Sequence, residues 1–278
     1  MRLFLFPNYC MDTLLVGPNA TEQVPAENRR RYFLFFSYDG TAYHGWQIQP
    51  NAVSVQQKLN QALSTLLREN ISTVGAGRTD TGVHARCMVA HFDTTADIDG
   101  ARLTDKLNRL LPADIAVSRV VRVVPEAHAR FDAIARTYHY HVYTGKALFL
   151  RHYATRLYFT PDYAAMNSAA ARLMDYVDFT SFSKLHTDVK TNLCRIHYAR
   201  WTHVDGDLWR FEIRADRFLR NMVRAIVGTL LEVGRGRLSE EEFCGIIAAK
   251  NRMAAGESVP ANGLALVDID YDFSKLLL

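Results

Sequence analysis

An acidic and a basic residue stand two positions apart in a glycine-rich segment, a pattern suited to chemistry. Asp80 and Arg78 lie within residues 75–85, which also contain three glycines. An aspartate in such a setting commonly caps a turn with its own side chain. Glycines, however, allow another backbone to approach closely, and a loop held by a following strand suits a functional site. We therefore predict a loop that presents the Asp80 carboxylate.

Three arginines in the second half of the chain could complement that carboxylate. Apolar residues recur at helical spacing through residues 217–233, and Arg217, Arg220 and Arg224 cluster on another face of the predicted helix. Burial alone would neutralise a carboxylate in a water-poor cleft, whereas a fixed cation nearby keeps it ionised. For Arg217 and Arg220, a solvated polar face is an equally good interpretation.

The elements that must position these residues are strands mixed with helices. Ser54 and Gln57 form a capping-box pattern that begins a helix over residues 55–68, and Pro112 ends a second helix. Strands are predicted from apolar runs and alternation over residues 31–38, 84–93, 115–124, 136–143, 194–203 and 208–215. We predict an α+β fold with two similar α+β halves. The sheets are mixed and largely antiparallel, the helices lie on the outer faces, and an active cleft lies between the halves.

The predicted domains follow from this pattern. Residues 1–30 are expected to be a poorly ordered extension, residues 31–133 an N-terminal α+β domain with the Asp80 loop, and residues 134–278 a C-terminal α+β domain.

Composition narrows the class of protein. The 278-residue chain is 49% hydrophobic with a net charge of +4, so affinity for nucleic acid would depend on where the basic residues lie. Its four cysteines are far apart and form no zinc pattern, which predicts reduced thiols, a cytoplasmic location and no structural metal. No apolar stretch approaches the ~18 residues of a membrane span. No dinucleotide fingerprint or P-loop occurs, so we expect no cofactor.

Residues 75–85 resemble the catalytic loop of the bacterial tRNA pseudouridine synthase A family, and the similarity extends over residues 31–273. Its further motifs, in order, are Tyr38-Asp39-Gly40-Thr41, Gly45-Trp46-Gln47, Leu107-Asn108-Arg109-Leu110-Leu111-Pro112, Arg136-Thr137-Tyr138, Asp178-Phe179-Thr180-Ser181-Phe182, Phe218-Leu219-Arg220-Asn221-Met222-Val223-Arg224 and Gly263-Leu264. The chain departs from the family pattern in the extension at residues 1–30, at Arg220-Asn221 and at residues 259–262.

The resemblance implies roles for four residues. Asp80 would be the essential carboxylate, Arg224 its ion-pair partner, and Tyr138 the aromatic that stacks on the target uracil and assists removal of the C5 proton. Arg78 would enter the space left by the flipped nucleotide. Arg217 and Arg220 are candidates for contacts with the RNA backbone.

The resemblance also implies a substrate and an assembly. The expected reaction is isomerisation of uridine to pseudouridine at positions 38, 39 and 40 of the tRNA anticodon stem-loop, by a homodimer. The same chemistry on another RNA, or a non-catalytic tRNA-binding protein, are the alternatives. A nucleoside glycosidase is disfavoured, because such enzymes use two closely placed carboxylates and this loop offers one.

Overall fold

The computed structural model describes residues 29–184 and 191–278. One sheet of nine strands runs through it in the order β4-β1-β3-β9-β5-β8-β7, with β2 beside β3 and β6 beside β5. The strands are β1 (Arg30–Tyr38), β2 (Val74–Gly75), β3 (His84–Thr94), β4 (Ile115–Val123), β5 (Ala133–Tyr143), β6 (Thr155–Arg156), β7 (Ile196–Asp205), β8 (Leu208–Ala215) and β9 (Leu264–Tyr271). The helices are α1 (Val55–Leu67), α2 (Gly100–Leu110), α3 (Tyr163–Ala171), α4 (Met222–Gly234), α5 (Glu240–Ala248) and α6 (Phe273–Leu276).

The local sequence signals place the first helix and the hairpin where they were predicted. The Ser54 hydroxyl accepts a hydrogen bond from the backbone N–H of Gln57 at 3.2 Å, and α1 ends at Arg68 in a left-handed conformation. Strands β7 and β8 pair antiparallel around the turn that contains Gly206. Both predictions are confirmed because short-range backbone preferences decide them.

The α+β fold with largely antiparallel strands is confirmed, but the strands of both halves join in a single sheet. Strand β9 causes this. It pairs in parallel with β3 through His84 and Ala85, and antiparallel with β5 along most of that strand. The two halves therefore share one sheet rather than each holding its own.

Two hydrophobic cores lie along this sheet. The first is built from β1, β3, β4, α1 and α2, and the second from β5, β7, β8 and helices α3 to α5. Leu266 and Ile269 of β9 belong to the first core, whereas Leu264 of the same strand belongs to the second. Residues near β9 consequently lie at the seam between the cores.

Three further predictions concern the N-terminal extension, membrane spans and the cysteines. The expected disorder of the extension lies outside the described residues for positions 1–28, while β1 already begins at Arg30. Within 29–184 and 191–278, none of the helices combines the length and apolar character needed to cross a membrane. In the same residues Cys87, Cys194 and Cys244 carry free thiols.

Candidate active site

The Asp80 loop is fixed by the segment that follows β1. The hydroxyl groups of Tyr38 and Thr79 lie 2.8 Å apart in the protein interior, and the backbone N–H of Trp46 donates to the Thr79 carbonyl at 3.3 Å. Gly45 has a φ of +85°, and a Cβ at this position would lie 2.3 Å from the Thr79 carbonyl oxygen. Only glycine permits so close an approach, so the Gly45-Trp46-Gln47 motif serves to hold the loop.

The backbone then turns sharply after Asp80. The N–H of Val83 donates to the Asp80 carbonyl at 3.1 Å, and Gly82 has a φ of +77°. The backbone N–H of Gly82 donates to the Tyr43 carbonyl at 3.2 Å. The side chain of Asp80 is left 25% exposed, so the glycine turn directs a partly solvated carboxylate out of the loop.

Two arginines contact the Asp80 carboxylate. Nη1 of Arg224 lies 3.6 Å from Oδ2, and Nε of Arg220 lies 3.6 Å from Oδ1. Arg224 is 21% exposed, and its Nε donates to the Val259 carbonyl at 2.7 Å. Arg224 therefore does not form two parallel hydrogen bonds with Asp80. Arg224 instead bridges the carboxylate and the Val259 backbone.

The continuous helix predicted from residue 217 is wrong. Asn221 adopts a left-handed conformation with φ of 66°, and α4 begins only at Met222. Asparagine tolerates this conformation better than most residues, and here its side-chain amide donates to the Ser258 hydroxyl. The break turns the chain so that Arg220, from the loop, and Arg224, from the helix, converge on one carboxylate.

Arg217 and Arg78 occupy the surroundings of this pair. Arg217 lies half-buried in the loop after β8, and in the described part of the chain it does not reach Asp80 within ion-pair distance. Arg78 is exposed on the Asp80 loop. The three arginines predicted on one helix face, Arg217, Arg220 and Arg224, are thus divided between the loop after β8 and helix α4.

Tyr138 extends from the middle of β5, opposite Ile213 of β8 and Leu266 of β9. Its ring meets the Phe218 ring edge to face, with 5.1 Å between centroids and an interplanar angle of 84°. Burial raises the pKa of Tyr138 to about 12, and the Asp80 carboxylate acts in the same direction. The hydroxyl is therefore protonated at neutral pH.

Arg136 was not singled out by residue type, yet it ties the site together. Nη1 donates to the Ala133 and Asp216 carbonyls, each at 2.8 Å, and Nη2 donates to the carbonyls of Ala76 at 3.0 Å and Arg130 at 2.7 Å. Burial lowers its pKa, but an arginine remains a cation. One guanidinium thereby joins the Asp80 loop to strand β5. The Arg136-Thr137-Tyr138 motif was the available signal for this role.

Residues 256–262, which include the departure from the family pattern at 259–262, pack against α4. The Glu257 carbonyl packs so closely on Gly228 that a Cβ there would lie 1.8 Å away. The Pro260 carbonyl accepts from the Tyr140 hydroxyl at 2.9 Å, and the Val259 carbonyl holds Arg224. The segment positions the arginine through backbone atoms, which tolerates changes of side chain.

The site consequently combines a carboxylate, a phenol and two guanidinium groups along the seam between the two cores. A carboxylate can act as a nucleophile or a base, and the two cations can orient it. The neighbouring aromatic ring can stack on a planar substrate. Arg220, which is 60% exposed, is also free to turn toward an anionic ligand.

Comparisons with known proteins identify the family. The model of the tRNA pseudouridine synthase family matches residues 34–132 and 169–272. A tRNA pseudouridine synthase A from Bacteroides thetaiotaomicron is 60% identical over 244 residues, which are 87% of this chain and 91% of the relative. One from Parabacteroides distasonis is 59% identical over 87% of this chain and 96% of its own length.

The similarity extends to a more distant group of bacteria. A tRNA pseudouridine synthase A from Bacillus subtilis is 41% identical over 240 residues, which are 85% of this chain and 97% of the relative. Both segments matched by the family model contain site residues, with Asp80 in the first and Arg224 in the second. The chain therefore belongs to the tRNA pseudouridine synthase family.

Proposed function

We propose that this chain isomerises uridine to pseudouridine in tRNA, with Asp80 as the essential carboxylate. The reaction breaks the bond between N1 of uracil and the ribose, turns the base and rejoins it through C5. Nothing is oxidised or hydrolysed, so the residues of the chain suffice without a cofactor. The observation that carries the proposal is the Asp80 carboxylate held between Arg220 and Arg224, beside the ring of Tyr138.

The geometry supports two routes for Asp80. The carboxylate can attack the sugar or the base as a nucleophile, or it can remove a ribose proton as a base. In both routes the uracil must leave the RNA stack and enter the seam, where the Tyr138 ring offers a stacking surface. Arg78, exposed on the same loop, then fills the vacated space.

The substrate positions and the assembly extend the proposal. We propose positions 38, 39 and 40 of the anticodon stem-loop as targets, a homodimer as the functional unit and the cytoplasm as its location. Family resemblance supports the first two, and the free thiols Cys87, Cys194 and Cys244 suit a reducing compartment. Arg217 and Arg220 are proposed to contact the RNA backbone, since guanidinium groups near the seam would meet phosphates.

The test is release of tritium from tRNA that carries tritium at uracil C5, followed by mapping of pseudouridine in the product. Release with pseudouridine at positions 38 to 40 supports the full proposal. Pseudouridine elsewhere in total RNA would support the same chemistry on another substrate. Tight tRNA binding without tritium release would instead identify a non-catalytic tRNA-binding protein.

Tyr138→Phe is expected to keep tRNA affinity but to slow product formation by roughly 10²-fold or more, the usual contribution of a proton-transfer group. The phenyl ring preserves stacking while it removes the protonated hydroxyl beside Asp80. Single-turnover rates with a tRNA binding assay separate the two effects. An unchanged rate would leave stacking as the role of Tyr138.

Arg224→Lys is expected to lose most activity although it keeps the charge. Arginine uses Nη1 for Asp80 and Nε for the Val259 carbonyl, and a lysine amine cannot occupy both places. Tritium release by this variant should fall at least about tenfold, the effect of one lost charged hydrogen bond. Near-normal turnover would show that charge alone suffices.

Arg78→Ala is expected to impair modification of a paired target more than that of an unpaired one. Extrusion of a paired nucleotide costs a few kcal/mol, which a filling side chain helps to offset. Rates on a stem-loop with the target uridine paired, and on one with it mismatched, measure the difference. Equal loss on both substrates would argue against a role in flipping.

A further inference from the structure

An exposed aromatic ring lies beside the catalytic loop and has no role in the chemistry described above. Phe131, just before β5, is 74% exposed, and Ile134, at the start of the same strand, is 54% exposed. Their position is fixed by Arg136, whose Nη2 donates both to the Ala76 carbonyl of the Asp80 loop and to the Arg130 carbonyl. One guanidinium therefore links the turn that carries Phe131 to the catalytic loop.

The turn holds Phe131 in one orientation. Nδ1 of His128 accepts the backbone N–H groups of Arg130 at 3.1 Å and Phe131 at 3.3 Å. The Asp132 carboxylate accepts the His128 N–H at 2.7 Å, and the Asp132 N–H donates to the His128 carbonyl at 3.1 Å. These bonds close the turn on itself, so the apolar ring is presented to solvent by a rigid backbone.

A column of rings supports Phe131 from beneath. The His128 ring stacks on Phe131 with 4.2 Å between centroids and an interplanar angle of 29°, and the His91 ring meets His128 edge to face at 4.6 Å and 64°. Burial lowers the pKa of His91 to about 4 and also lowers the pKa of His128, so both rings are uncharged at neutral pH. Phe131, which is 74% exposed, lies at the solvent end of this series.

Charge around the ring favours a nucleic acid. The Arg130 guanidinium lies 5.8 Å from the Phe131 centroid, and Arg78 is exposed on the adjoining loop. A planar base and its phosphates match an exposed aromatic ring with one guanidinium at the ring and another on the adjoining loop. A protein partner would need acidic side chains placed beside an apolar contact, whereas a nucleic acid carries a phosphate at every nucleotide.

We propose that Phe131 is a stacking platform for an unpaired nucleobase of the RNA, next to the nucleotide that enters the seam. The inference rests on the proposed function for the identity of the RNA. The base would continue the column of His91, His128 and Phe131 and would anchor the strand beside the flipped uridine. Ile134 would cover the edge of that base.

The Phe131→Trp variant tests the contact without reliance on catalysis. The chain has three tryptophans, of which Trp46 and Trp201 are only 3% exposed, so an exposed indole at position 131 would stand out in fluorescence. Titration with a tRNA transcript should quench this added emission, while the wild-type signal changes little. Saturable RNA binding without quenching of the added emission would overturn the proposal.

The affinity for tRNA provides the second measurement. Phe131→Ala should weaken tRNA binding roughly tenfold, as for loss of one aromatic–base stack, and Phe131→Trp should restore it. Tyr158→Ala is the matched control, because it removes a ring that is 85% exposed beyond the opposite end of β5. Normal affinity of Phe131→Ala, or an equal loss in the control, would contradict a specific platform.

The two proposals can fail separately. Quenching in Phe131→Trp together with no tritium release by the wild type would retain the platform and reject the isomerase function. Tritium release by the wild type, with no effect of either Phe131 substitution on tRNA affinity or fluorescence, would retain the function and reject the platform.

Discussion

Asp80→Ala is expected to abolish tritium release from tRNA, with a fall in rate of at least about a thousandfold, as for removal of a catalytic carboxylate that acts as nucleophile or base. The loop supplies this one carboxylate, and both Arg220 and Arg224 converge on it. Neither arginine can replace it, because a guanidinium group is neither a nucleophile nor a base at neutral pH.

The matched control is Asp80→Asn, which keeps the shape of the side chain and removes only the charge. Both variants should bind tRNA at least as well as the wild type, because Arg220 and Arg224 lose an internal anion and become available to phosphates. Circular dichroism and a tRNA binding assay establish that the variants are folded. Substantial tritium release by either variant would remove Asp80 from the mechanism.

Arg136→Ala is expected to lower the free energy of unfolding by about 3 kcal/mol, the scale of breaking a partly buried charged network. Four carbonyls lose their donor, including those of Ala76 and Asp216 on either side of the seam. Activity should also fall by about 10²-fold, because a displacement of about 1 Å in a catalytic group has that effect. Arg136→Lys should recover only part of both losses, since an ammonium has three donors.

Urea denaturation and single-turnover rates measure the two losses. Arg237→Ala is the control, because that arginine is 65% exposed and pairs with Glu232 on the surface, where an ion pair contributes no more than about 1 kcal/mol. If Arg136→Ala matched this control in stability and kept the wild-type rate, the guanidinium would not hold the loop in place.

Much of the fold was predictable because short-range rules govern its elements. The Ser54 cap, the stop at Pro112 and the turn at Gly206 each act within a few residues of the helix or strand that they bound. The position of β9 was not predictable in this way. Its partners β3 and β5 are distant in sequence, and no local pattern specifies which edges a strand will join.

The site residues also differ in whether a local sequence pattern indicates them. The glycine-rich loop around Asp80 can be recognised from the sequence. Motif resemblance adds Tyr138 and Arg224 to the predicted site. The break at Asn221 was missed because Phe218, Leu219 and Met222 follow helical spacing across it, and periodicity does not reveal a left-handed residue. Arg136 was missed as a structural cation because its four partners are backbone carbonyls, which leave no trace in residue types.

The central place of β9 has a consequence for how the protein matures. Strand β3 and the Asp80 loop are synthesised early, but β9 must reach the middle of the sheet before the two cores are joined. During translation the inner edges of β3 and β5 would therefore stay unpaired, and the site around the Asp80 loop incomplete, until about residue 271 has left the ribosome. Catalytic competence should appear in one late step, and a ribosome stalled before β9 would display a nascent chain with two open sheet edges and no activity.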